Sequence, residues 1–255
     1  MRKINNNVFW IEADWPVPEW VNAGTTLRTG GISESPFNTF NLAQHVGDKE
    51  EDVFRNRKHL RDRLKLLSEP CWLKQVHENR IINANKNKLI ETADGSFTSE
   101  SNTICVVLTA DCLPLLLYDA DGQSVAAIHI GWRGLSQNII ANALVNLSTE
   151  RKNIIAWIGP CISADHYEID KTVFNAINTL FTGAEEYFTE TRKGHWMMDL
   201  KQLVRKQLLT LGINHIYVSP YCTFSDKIHF YSHRRDGLTG RMASLIWMDS
   251  HTNLD

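Results

Sequence analysis

The spacing of apolar residues along the chain predicts alternating helices and strands. In four segments apolar residues recur every three or four positions, which is typical of helices that pack one face on a core. Shorter apolar or β-branched runs between these segments predict strands. The predicted helices are 50–66, 135–147, 172–181 and 199–211, and the predicted strands outside the central segment are 8–12, 72–76, 154–158, 213–218 and 228–231.

A hairpin is predicted in the centre of the chain, where apolar runs at 115–118 and 124–130 flank a DADG turn. A β-branched run at 103–108 predicts another strand just before it. Cys112 and His129 therefore fall where strands meet loops, beside a GWRG motif. Binding and catalytic residues are often found at such positions.

These segments alternate irregularly, and no repeat or linker divides them, so we expect one mixed α/β domain over residues 1–255. Hydrophobic residues make up 43% of the chain and charged residues 22%, which is ordinary for a globular protein. A net charge of −2 gives no electrostatic reason to expect nucleic acid or a membrane surface as a partner. No apolar run approaches the length of a membrane span, and the start of the chain lacks a signal-peptide core. We therefore expect a cytoplasmic location.

The candidate chemistry centres on His77 in WLKQVH, Cys112 in TADC and His129 in AAIHIGWRG. Two imidazoles and one thiolate suit Zn²⁺, and three protein ligands leave a fourth position for water or substrate. The spacing is wider than in a CxxC pair, so a second interpretation stays open: a free cysteine such as Cys112 is often a small buried hydrophobic residue. The five cysteines are odd in number and scattered, which argues against a disulfide framework.

Two polar segments with glycines supply candidate substrate-binding or phosphate-binding residues. The first, LRTGGISESPFNTFNLAQHVGD, contains Arg28, Asn41 and His45, and the second, YSHRRDGLTGRMAS, contains Arg241. Guanidinium groups and exposed backbone amides suit phosphate or carboxylate, whereas a solvated basic loop is the alternative interpretation. The chain contains neither a GxxxxGK[ST] phosphate loop nor a GxGxxG fingerprint, so a nucleotide cofactor is not indicated.

Taken in order, the motifs TLRTGGIS, FNLAQHVGD, WLKQVH, LTADCLPLLLYD, AAIHIGWRGL, WIGPCI and YSHRRDGLTGRMASLIW resemble the YfiH family, also described as laccase-domain or polyphenol oxidase proteins. The resemblance spans nearly the whole chain. It implies a four-layer α/β/β/α fold similar to the catalytic domain of cytotoxic necrotizing factor, and zinc ligands at His77, Cys112 and His129. Glu78 replaces the glycine more common in the family, and Ile130 replaces its usual alanine; neither change removes a ligand.

The resemblance also implies a purine nucleoside phosphorylase that acts on adenosine, inosine and S-methyl-5′-thioadenosine, with adenosine deamination as a second activity. Its partners would then be a small purine nucleoside and phosphate. For deamination, Asp111 is a candidate proton carrier, or it orients a ligand instead. For phosphorolysis an arginine must hold phosphate, and Arg28, Arg133 and Arg241 are candidates. Helix capping or a structural ion pair would explain Arg133 equally well.

Other functions compete for the same residues. The resemblance implies a role in peptidoglycan editing, as an amide hydrolase that removes serine from a wall precursor, with Cys112 as nucleophile and His129 or His77 as base. A copper-dependent polyphenol oxidase is less favoured, because its copper cluster needs paired His-X-His ligands and the ten histidines include no such pair. Copper binding by the histidines and cysteine would be adventitious. A non-enzymatic zinc protein predicts a closed four-ligand site completed by Cys161 or Cys222.

Overall fold

Fifteen strands and six α-helices form within the residues that the computed structural model describes, which are 9–84, 90–121, 123–147, 150–181 and 183–250. None of the helices in these ranges combines the length and apolar character needed to cross a membrane. The strands are β1 (Trp10–Glu12), β2 (Val21–Thr26), β3 (Leu73–Lys74), β4 (Ile81–Asn83), β5 (Glu91–Thr92), β6 (Gly95–Thr98), β7 (Cys105–Thr109), β8 (Leu113–Asp119), β9 (Ser124–Ile130), β10 (Ile154–Ile158), β11 (Glu168–Asp170), β12 (Phe188–Arg192), β13 (His195–Met198), β14 (His215–Val218) and β15 (Met242–Met248). The helices are α1 (Glu50–Leu64), α2 (Trp132–Ser136), α3 (Ile139–Val145), α4 (Lys171–Asn178), α5 (Leu200–Thr210) and α6 (His233–Asp236).

Two larger sheets contain most of these strands. One is antiparallel with the order β1-β2-β15-β7, and the other is mixed with the order β14-β10-β8-β9-β6-β4. In the second sheet the parallel pairs lie at its two ends, between β10 and β14 and between β4 and β6. The short pair β3-β5 is also parallel. Smaller sheets have the orders β11-β13-β12 and β3-β5. The predicted mixed α/β class is confirmed, whereas the likeness to cytotoxic necrotizing factor stays a prediction.

The hydrophobic core follows from the alternation of side chains along each strand. In β7, Val106 belongs to the same buried cluster as Leu60 of α1. The next residue, Val107, belongs instead to a cluster that includes Leu116 of β8. This second cluster joins the two larger sheets. The opposite face of the six-stranded sheet packs against the helices, chiefly α3 and α5.

The ends of the helices follow ordinary capping chemistry. The side chain of Asp170 accepts a hydrogen bond from the backbone N–H of Thr172 at 2.9 Å and so caps α4. Asp199 caps α5 in the same way, through the N–H of Gln202 at 3.0 Å. The predicted helices 50–66, 172–181 and 199–211 are confirmed with slightly shorter bounds.

The predicted hairpin is confirmed as β8 and β9, which pair antiparallel with Pro114 opposite His129. Two other predictions are wrong. The segment 135–147 is not one helix, because the backbone at Asn138 is left-handed (φ 60°) and separates α2 from α3. The segment 228–231 is not a strand, because the N–H of Phe230 bonds to the carbonyl of Asp226 in a turn. Phe230 and Tyr231 are apolar because they enter the core, whereas Ile228 is exposed.

Candidate metal centre

Three side chains that bind metals converge where β8, β9 and the loop after β3 meet. One donor atom each from His77, Cys112 and His129 lies within 4.8 Å of the other two. Cys112 immediately precedes β8 and His129 is the second-last residue of β9, so the hairpin register brings them together. His77 is exposed, Cys112 is half-buried and His129 is buried. The structure thus brings together the three side chains that the sequence indicated as candidate ligands.

The chemistry of this group fits a zinc ion. Zinc binds imidazole nitrogen and thiolate sulfur at about 2.0–2.3 Å, so its ligands must be close neighbours, as these three are. Neither Cys161 nor Cys222 belongs to the group. Among the described residues the group therefore offers three ligand atoms, whereas a closed structural zinc site needs four, so a zinc ion held here would keep a fourth position for water or substrate.

Asp94, which sequence reasoning missed, connects two of the ligands. Its fully buried carboxylate accepts a hydrogen bond from Nδ1 of His129 at 2.8 Å and from the backbone N–H of His77 at 2.9 Å. The other oxygen accepts from the N–H groups of Val76 at 3.1 Å and Glu78 at 2.8 Å. Burial would raise the pKa of Asp94, but these hydrogen bonds and the charge of His129 lower it. With Nδ1 of His129 fixed in this way, the Nε2 atom is the one available to a metal.

The two imidazoles control the ionisation of Cys112. Burial alone would raise the pKa of the thiol, but the charge and hydrogen bond of His129, together with those of His77, lower it. Burial acts in the opposite direction on His129, whose pKa is raised by the Cys112 thiolate and by Asp94. The group therefore favours the thiolate, which is the form of cysteine that binds metals and attacks carbonyl groups.

Because Gly131 has no side chain, it leaves room for the side chains of His77 and Cys112. A Cβ atom at this position would lie 3.1 Å from Cδ2 of His77 and 3.4 Å from Sγ of Cys112. The φ angle of −89° is open to any residue, so the requirement for glycine comes from close approach rather than from backbone conformation. This explains the first glycine of the GWRG motif.

The carboxylate of Asp111 is hydrogen-bonded to groups other than the three candidate ligands. Its carboxylate accepts hydrogen bonds from Oγ1 of Thr223 at 2.7 Å, from Oγ of Ser232 at 3.0 Å and from the backbone N–H of Arg234 at 2.7 Å. These contacts join the loops after β14 to the start of the hairpin. The role of Asp111 as a proton carrier stays a prediction.

His45 and Arg241 lie close enough to the three candidate ligands to interact with them electrostatically. Burial lowers the pKa of His45, and the charges of Arg241, Arg57 and the two ligand histidines lower it further. Burial likewise lowers the pKa of Arg241, whereas the negative charge of Cys112 acts to raise it. A half-buried guanidinium beside a thiolate and imidazoles is suited to bind an anion.

The other two predicted substrate-binding residues have structural partners. Asn41 is fully buried, accepts a hydrogen bond from the N–H of Arg241 at 3.0 Å and donates to Asp48 at 2.9 Å. Arg28 donates to two backbone carbonyl oxygens at 3.2 Å and lies 3.9 Å from the carboxylate of Asp236. Asn41 therefore fixes the backbone at Arg241, while Arg28 binds its own surrounding loops.

Two pairs of a cation and an aromatic ring flank the centre. Arg133 is exposed on α2, with its guanidinium 4.4 Å from the ring centroid of Trp132. Arg234 lies 5.3 Å from the ring centroid of Tyr167, a residue that sequence reasoning missed. Burial raises the pKa of Tyr167, and the negative charge of Cys112 adds to the effect, which places this ring near the thiolate.

Comparison with protein-family models gives a match over residues 22–249 to a family described as multi-copper polyphenol oxidoreductase laccase. A purine nucleoside phosphorylase of Pseudomonas aeruginosa is 37% identical over 240 residues, which cover 94% of this chain and 98% of the relative. The purine nucleoside phosphorylase YfiH of Escherichia coli is 36% identical over 239 residues, which cover 93% and 98% of the two chains.

Solved structures show the same fold. A Neisseria meningitidis protein superposes with a TM-score of 0.91 at 38% identity, covering 95% of this chain and all (100%) of that one. YlmD from Geobacillus stearothermophilus has a TM-score of 0.91 at 32% identity and covers 96% of this chain and 97% of its own. Both likenesses extend over the whole architecture that surrounds the three ligands.

Proposed function

Because this chain belongs to the YfiH family, whose model is described as a multi-copper polyphenol oxidoreductase laccase, we propose that it is a zinc-dependent purine nucleoside phosphorylase. The observation that carries the proposal is the three-ligand group of His77, Cys112 and His129 beside the half-buried Arg241. Three ligands are typical of a catalytic zinc site, and the cation next to them suits phosphate. The relatives named as purine nucleoside phosphorylases direct the proposal to nucleosides.

In phosphorolysis an oxygen of phosphate forms a bond to C1′ of the nucleoside while the C1′–N9 bond breaks. The electron pair of that bond passes to the purine, which takes up a proton as it leaves. We assign phosphate to Arg241, whose guanidinium supplies positive charge near the Cys112 thiolate, and to His45, whose imidazole is kept neutral by its lowered pKa and donates one hydrogen bond. A zinc ion at the site would supply a Lewis acid and lower the pKa of a bound water.

The proposed substrates are adenosine, inosine and S-methyl-5′-thioadenosine, and deamination of adenosine is proposed as a second activity. Water then adds at C6 of adenine and ammonia leaves. In both reactions an oxygen nucleophile, phosphate or water, attacks a carbon of the nucleoside, C1′ in one case and C6 in the other. This shared requirement is why one site would serve both.

Incubation of the purified protein with adenosine and phosphate tests this function directly. We expect adenine and ribose 1-phosphate, separated by chromatography, and some inosine when phosphate is omitted. The same preparation should contain about one zinc per chain, as expected for one group of three ligands. A zinc-loaded protein that forms none of these products would contradict the proposal, and His77→Ala provides the metal-depleted control.

Replacing Arg241 by alanine should weaken phosphate binding selectively. A hydrogen bond to a charged group contributes about 1.5–3 kcal/mol, so the KM for phosphate should rise at least about tenfold. The KM for adenosine should change much less. Arg133→Ala is the matched control, because Arg133 is exposed on α2. If Arg133→Ala raises the KM for phosphate and Arg241→Ala does not, phosphate binds at Arg133 instead.

One observation favours a second function. Without a metal, Cys112, His129 and Asp94 stand in the order of nucleophile, base and orienting carboxylate. This arrangement suits an amide hydrolase that releases serine from a peptidoglycan precursor. The two functions exclude each other in one form of the protein, because a thiolate bound to zinc is a poor nucleophile. Hydrolysis of the precursor by metal-free protein, inhibited by added zinc, would favour the hydrolase.

A copper-dependent oxidase remains the less favoured proposal. The described residues bring together two histidines and one cysteine, with no second histidine cluster beside them. Oxidation of phenols that depends on added copper and is absent from the zinc-loaded protein would identify copper as adventitious.

We further propose a cytoplasmic location and the four-layer arrangement. No disulfide joins any of the five cysteines, all of which lie within the described ranges, and this suits a reducing compartment. The core clusters support the layers, because one joins α1 to the four-stranded sheet, one joins the two sheets, and one joins the six-stranded sheet to helices α2 to α5.

A further inference from the structure

The side chain of Gln75 pairs with strand β7 as a neighbouring strand would. Its Nε2 donates to the carbonyl oxygen of Leu108 at 2.9 Å, and its Oε1 accepts from the N–H of the same residue at 2.7 Å. Such a double hydrogen bond is the pattern of one residue pair in an antiparallel ladder. Gln75 precedes His77 by two residues, and Leu108 precedes Cys112 by four. The amide therefore joins the segment that carries one ligand to the segment that carries another.

The loop that carries His77 has little regular structure of its own. Strand β3 ends at Lys74 after only two residues. His77 has a left-handed backbone with a φ of 62°, a conformation that an ordinary residue adopts only when its surroundings hold it. The backbone N–H groups of residues 76–78 bond to the carboxylate of Asp94. The side chains of Gln75 and Asp94 thus hold this loop in place, as the backbone hydrogen bonds of a sheet would.

We propose that Gln75 is a positioning residue of the metal centre and sets the distance between His77 and Cys112. The inference rests on the proposed metal site. Asp94 provides the complementary connection, since it bonds to the N–H of His77 and to the ring of His129. With both connections in place, an exposed imidazole on a loop is held against two ligands on a rigid hairpin. Without Gln75, the loop keeps its connection to His129 but loses its bonds to β7, the strand that leads to Cys112.

Zinc affinity of metal-free protein, measured by competition with a chromophoric chelator, tests the proposal. Gln75→Met keeps the length of the side chain but removes both hydrogen bonds, and it should weaken zinc binding about 10-fold to 100-fold, the range typical of residues that orient metal ligands. Gln75→Glu keeps the acceptor for the N–H of Leu108 and should lie between Gln75→Met and the parent. The visible spectrum of the Co²⁺-loaded protein should change in the same order, because it reports ligand geometry.

A second glutamine, Gln207, serves as the control that distinguishes a positioning role of Gln75 from a purely structural one. Gln207 is buried on α5, and its Nε2 donates to Asn138 at 3.4 Å, away from the ligands. Gln207→Met likewise replaces a buried amide by an apolar side chain of similar length, and it should leave zinc affinity unchanged. Equal zinc affinities and Co²⁺ spectra in the parent and Gln75→Met would overturn the positioning role. A parent protein that binds neither zinc nor Co²⁺ would overturn the proposed function itself, which is a different result.

Discussion

Replacing Cys112 by alanine should abolish both purine activities while the protein stays folded. The thiolate is the one negatively charged donor in the ligand group, and two imidazoles that remain make a weak zinc site. We expect turnover of adenosine to fall on the order of 10²–10³-fold or more, as when a group acting on the transition state is removed. The fold should persist, because Cys112 is only half-buried and the flanking strands β7 and β8 keep their core residues.

The measurement is the rate of adenine release together with the zinc content, and two other cysteine variants are compared with Cys112→Ala. Cys112→Ser should be nearly as inactive, since a hydroxyl is a poor zinc ligand at neutral pH. Cys105→Ala is the control: Cys105 is fully buried in β7, and burial raises the pKa of its thiol to about 12. Its loss should cost about 1 kcal/mol of stability and leave turnover near normal. A folded Cys112→Ala protein that cleaves adenosine at the parent rate would contradict the proposed centre.

The sequence predicts the ligand hairpin because its signals are local. An apolar run, a DADG turn and a second apolar run define β8 and β9, and antiparallel pairing then brings Cys112 and His129 to the same end. The structure brings His77 to this end as well. Its exact approach depends on Gln75 and Asp94, whose partners lie on β7 and β9, and distant partners leave no trace in local spacing.

Sequence reasoning singled out Asp111 rather than Asp94 because Asp111 is next to a ligand in the chain. Proximity in the folded protein depends instead on which strands pair and in which register. Strand β6 pairs antiparallel with β9, and Gly95 lies opposite Ile128, so the preceding residue, Asp94, lies beside His129. A pairing of strands that are not consecutive could not be foreseen from an ADG segment, which by itself is typical of a turn.

The two polar segments illustrate a similar limit. Their composition identifies them as candidates for anion binding, and the bond between Asn41 and the N–H of Arg241 confirms that they meet. Composition does not show which guanidinium is available. Both guanidinium groups donate to backbone carbonyl oxygens. Arg28 lies near the carboxylate of Asp236, whereas Arg241 interacts with the negative charges of Cys112 and Asp111.

Replacing Asp94 by asparagine should impair the metal centre without touching a ligand. Each carboxylate oxygen of Asp94 accepts two hydrogen bonds, from four donors in total. The amide NH₂ of asparagine would face two of these donors, leaving buried groups unpaired and His129 without its charged partner. We expect zinc affinity to fall about 10-fold to 100-fold. The free energy of unfolding of the metal-free protein should fall by about 3–5 kcal/mol, the range for removing one partner of a buried charged pair.

Asp111→Asn distinguishes the effect on zinc affinity from the effect on stability. Zinc affinity is measured by chelator competition, and stability is measured by denaturant unfolding of the metal-free proteins. Asp111 is also a buried carboxylate, and it accepts hydrogen bonds from Thr223, Ser232 and Arg234. Asp111→Asn should therefore destabilise the protein, but zinc affinity should stay near that of the parent because Asp111 contacts no ligand. Asp94→Asn with unchanged zinc affinity would show that the orientation of His129 does not depend on this carboxylate. The expected contrast is a loss of zinc affinity at Asp94 alone, because only there does the buried charge hold an imidazole in the direction that the metal requires.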